Sequence, residues 1–302
     1  MKELSGDDII GLVIGGFMMA LVALVVVIST IDKVRRRQPS GGPASRVRSY
    51  PMPAPAAQPS APVQAAQRPI AAPAQPKHPP LVAFAEWWPI ATQQANHVRL
   101  IGPTNSGKSV LAQAMASEFD GRLCIIDPVW RVGNWGGLPA VTVDADGEYS
   151  PIRQALDAII VEMKQRGARL QSEQAPTFER LTILFDEVPD TVTELPDTAG
   201  LLVRRLGQRG RHTNMHLIGM AQSERVKAWG IEGYGDAAEN FVTIYLGTKA
   251  IDRLAWLADA TPYPAVMEWR GKTMPIDTSA ALALSRRPIA ESRLWNPFEP
   301  PA

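Results

Sequence analysis

The sequence predicts an α/β domain with a mainly parallel sheet, preceded by one membrane-spanning helix and a proline-rich linker. Three features predict it. A phosphate-binding loop pattern stands between an apolar strand and a helix at residues 102–109. A later apolar strand ends in two acids, Asp186 and Glu187, and an uncharged apolar run lies near the N-terminus. Strands that alternate with helices in this way are typical of parallel sheets covered by helices.

The N-terminal apolar run is long enough to span a membrane. Ile9–Ile28 contains twenty residues without a charge, which matches a hydrocarbon core about 30 Å thick. We predict a transmembrane helix over residues 9–31, with residues 1–8 as an extracytoplasmic N-terminus. Lys2 is the only basic residue before the run, and the basic residues that follow it closely are Lys33, Arg35, Arg36, Arg37, Arg46 and Arg48. This asymmetry predicts a single-pass protein of the inner (cytoplasmic) membrane with its bulk in the cytoplasm. A cleaved signal peptide fits less well, because the basic residues follow the apolar run.

The segment after this helix has the composition of a linker. Residues 32–80 are first basic and then rich in Pro and Ala, with twelve prolines among the 42 positions of residues 39–80. Such a segment cannot form a core and behaves as a semi-extended tether. The folded domain is predicted over residues 81–285. Residues 286–302 are predicted to be a Pro-rich C-terminal tail, with Pro297, Pro300 and Pro301 marking its frayed end.

The phosphate loop matches the pattern G-x-x-x-x-G-K-[ST] at every fixed position. Backbone N–H groups must turn inward around a polyphosphate, so glycines are expected where a side chain would block that approach. Lys108 is expected to reach the β- and γ-phosphates, and the hydroxyl of Ser109 to bind Mg²⁺. The predicted cofactors are therefore ATP and Mg²⁺. The residues expected to bind the nucleotide are Gly102, Pro103, Thr104, Asn105, Ser106, Gly107, Lys108, Ser109 and Val110.

Hydrophobic periodicity predicts the elements around this loop. The predicted strands are His97–Ile101, Leu123–Asp127, Pro139–Val143, Leu181–Phe185, Met215–Ala221 and Phe241–Leu246, with a terminal hairpin of Val266–Trp269 and Lys272–Pro275 that turns at Arg270 and Gly271. The predicted helices begin at Val110, run from Pro151 to about Gln171, and cover Leu201–Arg211 and Ala250–Ala258. Trp130 and Trp135 stand in a glycine-rich loop, where packing is favoured over stacking on a base.

Three polar residues follow strands of this predicted sheet. Because ligands bind at the carboxyl ends of parallel strands, Asp186, Glu187 and Gln222 are expected at one edge. Asp186 is expected to hold Mg²⁺ through a water. Glu187 is expected to orient and activate the attacking water. Gln222 is expected to touch the γ-phosphate or that water.

Four segments in this order resemble the FtsK/HerA superfamily of P-loop ATPases: G-P-T-N-S-G-K-S, I-I-D-P, L-F-D-E and R-R-L-G-Q-R-G-R-H-T-N-M-H-L-I-G-M-A-Q-S. The resemblance spans residues 97–250. It implies a RecA-like fold with an extra strand between the phosphate-loop strand and the strand that ends in the two acids. It also implies a hexameric ring, a sensor at Gln222, and an arginine finger that acts on a neighbouring subunit. Arg211 is preferred for that finger, and Arg209 is the alternative. Both are expected near the catalytic edge of the sheet, because they follow the strand that ends in the two acids and precede the strand that leads to Gln222.

The superfamily includes chromosome translocases, conjugative coupling proteins and viral DNA-packaging motors. The resemblance therefore implies DNA as cargo, with conjugation or virion-assembly components as candidate partners. Residues 81–302 carry 22 basic and 26 acidic residues, so the domain has no overall basic footprint for nucleic acid. Two alternatives stay open. One is a secretion or assembly ATPase that moves protein subunits at the membrane, and the other is a nucleotide-dependent membrane scaffold, against which the intact Glu187 argues.

Overall fold

The structure, a computed structural model, describes residues 78–299. Its strands are β1 His97–Ile101, β2 Arg122–Ile126, β3 Leu181–Phe185, β4 Met215–Ala221, β5 Phe241–Leu246, β6 Ala265–Trp269 and β7 Lys272–Pro275. They form one seven-stranded sheet in the order β2-β3-β4-β1-β5-β6-β7. The first five strands in that order run parallel, and β6 and β7 are antiparallel to their neighbours.

The helices lie on both faces of this sheet. They are α1 Phe84–Pro89, α2 Lys108–Glu118, α3 Ser150–Ser172, α4 Val188–Glu194, α5 Leu201–Arg209, α6 Gly235–Glu239, α7 Thr248–Arg253, α8 Leu257–Ala260 and α9 Ala281–Ser285. One apolar core forms where α3, α4 and α5 pack on the sheet, and a second forms where α1, α2 and α9 pack on the other face. Because both faces are covered, β3 and β5 are buried along their whole length, as their apolar sequences require.

The strand order places three functional segments side by side. β4 lies between β1 and β3, so the extra strand implied by the family resemblance is present. Ile101 pairs with Ala221 across β1 and β4, and Phe185 pairs with Gly219 across β3 and β4. The carboxyl ends of these three strands therefore meet at one edge of the sheet.

Most predicted elements are confirmed, with small changes of bounds. β1, β4 and β5 have the predicted limits, and α3 begins with Pro151 in its first turn. The β6-β7 hairpin turns at Arg270 and Gly271, whose φ angles are 49° and 73°. Two successive positive φ angles are what a two-residue hairpin turn needs.

Three predicted elements are wrong in part. Pro139–Val143 is not a strand, because Pro139 has no N–H and only Val141 pairs with the edge of β2, through Ile125 and Asp127. The helix predicted over Ala250–Ala258 is two short helices, α7 and α8, separated by residues 254–256, of which Leu254 has non-helical backbone (φ −138°, ψ 88°). The helix predicted to reach Arg211 ends at Arg209.

Among residues 78–299, no helix is both long and apolar enough to cross a membrane. The predicted transmembrane helix (residues 9–31), the N-terminus before it and the tether up to residue 77 lie outside the described residues. Their assignments stay predictions.

The C-terminal segment, predicted as a Pro-rich tail after the folded domain, packs onto the end of the phosphate-loop helix. Arg293 donates to the carbonyls of Gly121 (2.8 Å) and Ala116 (3.2 Å), and also to that of Phe119, at the C-terminus of α2. The Trp295 N–H then donates to the carbonyl of Leu123 on β2 (2.8 Å). A cation at a helix C-terminus satisfies carbonyls that have no partner within the helix. This contact was not predicted from the sequence, because the prolines further along the chain are typical of an unpacked tail.

We expect Arg293→Met to lower the free energy of unfolding by about 1.5–3 kcal/mol, because it removes a charged donor from several carbonyls at once. Urea unfolding of the two proteins measures the change. Arg286→Met, at an exposed position, is the matched control and should change stability by less than about 0.5 kcal/mol. Equal stability of the two variants would show that the docked segment contributes nothing to the helix it contacts.

Candidate functional site

The phosphate loop joins β1 to α2, and its two glycines are required for different reasons. At Gly102 a Cβ atom would lie 2.4 Å from the Ser106 hydroxyl oxygen and 2.9 Å from the Leu246 carbonyl oxygen. No side chain fits there. Gly107, the residue before α2, has a φ of 91° with open space around a Cβ position. Its left-handed backbone, rather than crowding, is what favours glycine at this point.

Lys108 is the first residue of α2, and its side chain points back into the loop. Its ammonium group donates to the carbonyls of Gly102 (2.8 Å) and Pro103 (3.0 Å), and the residue is only 7% exposed. Burial lowers the pKa of Lys108, while the carboxylates of Glu187 and Asp186 act in the opposite direction. The structure thus holds a buried cation at the loop by backbone carbonyls, which a phosphate oxygen can replace.

Asp186 and Glu187 follow β3 directly. The Asp186 N–H donates to the carbonyl of Ile126 (2.9 Å), which extends the β2-β3 ladder to this residue, and its carboxylate accepts from the Glu187 N–H (2.9 Å). Burial, with the negative charges of Asp127 and Glu187, raises the pKa of Asp186 to about 6. Carboxylates that repel each other in a half-buried site favour binding of a cation.

Glu187 and Gln222 contact each other across the ends of β3 and β4. The Gln222 side-chain amide donates to the Glu187 carboxylate at 3.2 Å. Glu187 has a φ of 45°, which is unusual for a residue with a side chain. Such backbone costs on the order of 1–3 kcal/mol and is most frequent at functional sites. The predicted catalytic acid and the predicted sensor are therefore in direct contact.

The predicted residues share one cavity of about 630 Å³ with the phosphate loop. Its lining residues are Thr104, Asn105, Ser106, Gly107, Lys108, Ser109, Val110, Val129, Asp186, Glu187, Asp190 and Gln222. Gly102 and Pro103 lie behind the loop, where their carbonyls hold Lys108. Val129 and Asp190 were not predicted from the sequence. Val129 lies in the loop after β2 and Asp190 in the first turn of α4, and neither belongs to a recognisable motif.

Asp127 is a further buried acid close to this cavity. Its carboxylate accepts from the Trp135 indole N–H (2.9 Å) and from the Val129 N–H (3.0 Å). Trp135 is only 5% exposed. It therefore packs in the core, the role that the sequence favoured over stacking on a base. The strand-ending acid in I-I-D-P was the signal that could have identified Asp127.

A second, largely apolar cavity of about 410 Å³ lies beside the loop. It is formed where α2, the turn after β5 and the start of α9 meet, and includes Val110, Leu246, Tyr263, Pro264 and Leu282. Apolar walls beside a phosphate loop suit the flat face of a nucleobase. No sequence pattern indicated this cavity, because its residues come from distant segments.

The oxygen-bearing side chains at the carboxyl ends of the strands suit a Mg²⁺ ion that is shared with a nucleotide. Among residues 78–299, no group of three or more His, Cys, Asp and Glu side chains is placed to hold a metal ion. Mg²⁺ in nucleotide sites is bound by one or two protein oxygens together with phosphates and waters. Ser109 and Asp186, which line the same cavity, would supply those oxygens.

Arg209 and Arg211 do not lie at the catalytic edge, contrary to the position expected from the sequence. They precede β4 and therefore lie at its amino end, opposite the phosphate loop. Arg211 lines a polar cavity there with Arg99 and Arg270. Neither arginine lines the cavity that contains the phosphate loop of its own chain, and a role in a neighbouring subunit stays a prediction.

Asp186→Asn is expected to stabilise the nucleotide-free protein at pH 7.5. The folded-state pKa of Asp186 lies above its ordinary value, so the ionised carboxylate destabilises the fold at this pH, by up to about 3 kcal/mol. At pH 4 the folded-state carboxyl is protonated, as are about half of the unfolded chains, so the gain should fall below about 1 kcal/mol. Urea unfolding with a metal chelator at pH 7.5 and 4 measures this. Asp190→Asn is the control, and an equal gain from it, or a gain that is undiminished at pH 4, would contradict the explanation.

No protein-family model matches the chain, and no curated protein matches its sequence. Similar solved structures include the cytoplasmic domain of the type VII secretion ATPase EccC of Thermomonospora curvata, with 17% identity over 68% of this chain and 29% of that one (TM-score 0.49). EssC ATPases 2 and 3 of Geobacillus thermodenitrificans share 12% identity over 65% of this chain and 43% of that one (TM-score 0.39). EccC ATPases 2 and 3 of Thermomonospora curvata, in complex with a signal sequence peptide, share 14% over 65% and 42% (TM-score 0.41).

This chain spans less than half the length of each of these proteins. The strand order, the phosphate loop on the central strand and the acids at the end of β3 give the chain a mixed, mostly parallel sheet of the RecA-like P-loop type.

Proposed function

We propose that the chain is a Mg²⁺-dependent ATP hydrolase. The observation that supports this most is the convergence of Lys108, Asp186, Glu187 and Gln222 on one cavity with the phosphate loop. A loop alone would support nucleotide binding. The glutamate and glutamine in contact beside it support hydrolysis as well, because they provide a base and a polar partner for the attacking water.

In this proposal each side chain has one task. Lys108 leaves the carbonyls of Gly102 and Pro103 and binds phosphate oxygens, and Ser109 and Asp186 hold Mg²⁺. Mg²⁺, when bound, neutralises charge that develops on the phosphates. Glu187 accepts the proton of the attacking water, and Gln222 orients that water from the end of β4. The apolar cavity with Val110 and Leu282 receives the base.

The work that hydrolysis drives is the movement of a polymer, and polypeptide is our first candidate for the cargo. The balance of 22 basic and 26 acidic residues in residues 81–302 supports it over DNA. The similar EccC structure that holds a signal sequence peptide names the class of cargo to test. DNA, implied by the sequence resemblance, is the second candidate.

Stimulation of ATP turnover separates the two cargos. Turnover of the full chain is measured with linear duplex DNA, with single-stranded DNA and with a permanently unfolded polypeptide, each over a range of salt. Stimulation by the polypeptide alone is the expected result. Stimulation by DNA that falls steeply with salt would instead establish DNA as the cargo, and absence of any turnover would reject the hydrolase itself.

The proposed setting is a homo-oligomeric ring attached to the inner membrane. Residues 9–31 would anchor it with the N-terminus outside and the ATPase domain in the cytoplasm, which reporter fusions at both ends of the anchor can test. Arg211, or Arg209 in its place, would complete the site of a neighbouring subunit. Mixing Arg211→Ala subunits with Glu187→Gln subunits tests this, because restored turnover requires an arginine that acts between chains.

A further inference from the structure

The segment that carries Gln222 is irregular, so something outside it must fix its position. After β4 the chain has no regular element until α6 begins at Gly235. One attachment is Trp229, which is fully buried and donates its indole N–H to the carbonyl of Ser223 (2.9 Å). The indole ring packs so closely on β4 that a Cβ at Gly219 would lie 2.6 Å from it. This anchors the far end of the segment to the sheet.

The second attachment is an ion pair two residues after Gln222. The carboxylate of Glu224 binds the guanidinium of Arg253, the last residue of α7. Arg253 also lies 3.0 Å from the Glu268 carboxylate, and its guanidinium carbon lies 3.7 Å from the centre of the Tyr245 ring. The Tyr245 hydroxyl in turn donates to Glu268 (3.1 Å). A guanidinium held between two carboxylates above an aromatic ring has little freedom to move.

The other end of α7 touches the phosphate loop. Gly247, the residue before α7, lies where an added Cβ would be 3.2 Å from the Cβ of Ser106 and 3.6 Å from the Pro103 ring. α7 is only six residues long, Thr248–Arg253. A short helix that contacts the loop at one end and holds Glu224 at the other connects the phosphate loop to the segment of Gln222.

We propose that Arg253 is a positioning residue, which through Glu224 keeps Gln222 against Glu187 and in register with the phosphate loop. This inference rests on the ATP hydrolysis proposed above. Arg253 does not line the cavity that contains Glu187 and Gln222, so its effect passes through Gln222. The consequence is specific: loss of Arg253 should slow hydrolysis and leave nucleotide binding intact.

The test compares full-chain Arg253→Ala and Glu224→Gln with the control Arg225→Ala, which changes an exposed neighbour in the same segment. Turnover should fall about 10- to 100-fold in both test variants, as expected for a displaced group at a reaction site. The dissociation constant of a fluorescent ATP analogue should stay within about twofold of the wild-type value. Amide exchange across residues 222–230 without nucleotide should quicken in both variants and stay unchanged in Arg225→Ala. Arg253→Lys should recover part of the turnover, since it restores the charge.

A double variant gives the decisive comparison. If Arg253 acts through Gln222, adding Arg253→Ala to Gln222→Ala should slow turnover by no more than about twofold. Losses that multiply, or exchange at residues 222–230 equal to the control, would overturn the inference while wild-type turnover keeps the proposed function intact. Absence of turnover in the wild type would overturn both. If Arg253→Ala does not fold, Glu224→Gln tests the same contact from its other side.

Discussion

Lys108→Ala is expected to weaken ATP binding by at least about 100-fold, roughly 3 kcal/mol, because it removes the cation that the proposed function assigns to the phosphate oxygens. In the structure this cation is buried and bonded only to loop carbonyls among residues 78–299, at 2.8 and 3.0 Å. It is therefore already positioned and needs no large rearrangement. Titration with a fluorescent ATP analogue in the presence of Mg²⁺ measures the change.

Two controls give this result its meaning. Lys164→Ala removes a lysine from the exposed face of α3 and should bind ATP as the wild type does. Thermal unfolding of Lys108→Ala shows whether the loop carbonyls of Gly102 and Pro103, now without their donor, destabilise the fold. Binding within about threefold of wild type by a folded Lys108→Ala protein would remove this lysine from the nucleotide site.

The phosphate loop, the polar residues at the strand ends and their meeting at one edge of the sheet could all be predicted from the sequence. These follow from local patterns and from the geometry of parallel strands, so Lys108, Asp186, Glu187 and Gln222 were predicted at one place, and they line one cavity. Continuous apolar runs also predicted most strand limits, because strands buried on both faces of a sheet have apolar side chains at successive positions.

The features that could not be predicted from the sequence depend on contacts between distant segments. The apolar cavity beside the loop combines Val110 with Tyr263 and Leu282, which are more than 150 positions away. The docking of Arg293 on the carbonyls of α2 is of the same kind. The position of Arg211 was predicted wrongly, although the order of elements along the chain indicates that a residue just before a strand lies at its amino end. Arg211 precedes β4, whereas the site lies after it.

Glu187→Gln is expected to slow ATP hydrolysis without weakening ATP binding, because the contact between Glu187 and Gln222 can persist in this variant. Glu187→Gln keeps the shape of the side chain, and its amide oxygen can still accept from Gln222, as the carboxylate does now at 3.2 Å. It loses only the capacity to take a proton from water. ATP binding should stay within about twofold of wild type, and turnover should fall about 10²- to 10⁴-fold.

Steady-state phosphate release and nucleotide titration on the same preparation measure Glu187→Gln. Glu194→Gln, at the exposed end of α4, is the matched control and should hydrolyse ATP at the wild-type rate. Lys108→Ala and Glu187→Gln should thus separate binding from chemistry, because the proposed function assigns Lys108 to the phosphates and Glu187 to the attacking water. Undiminished phosphate release by Glu187→Gln would assign the proton to another group. Asp190 is then the next candidate, since it is the remaining carboxylate that lines the cavity beside Asp186.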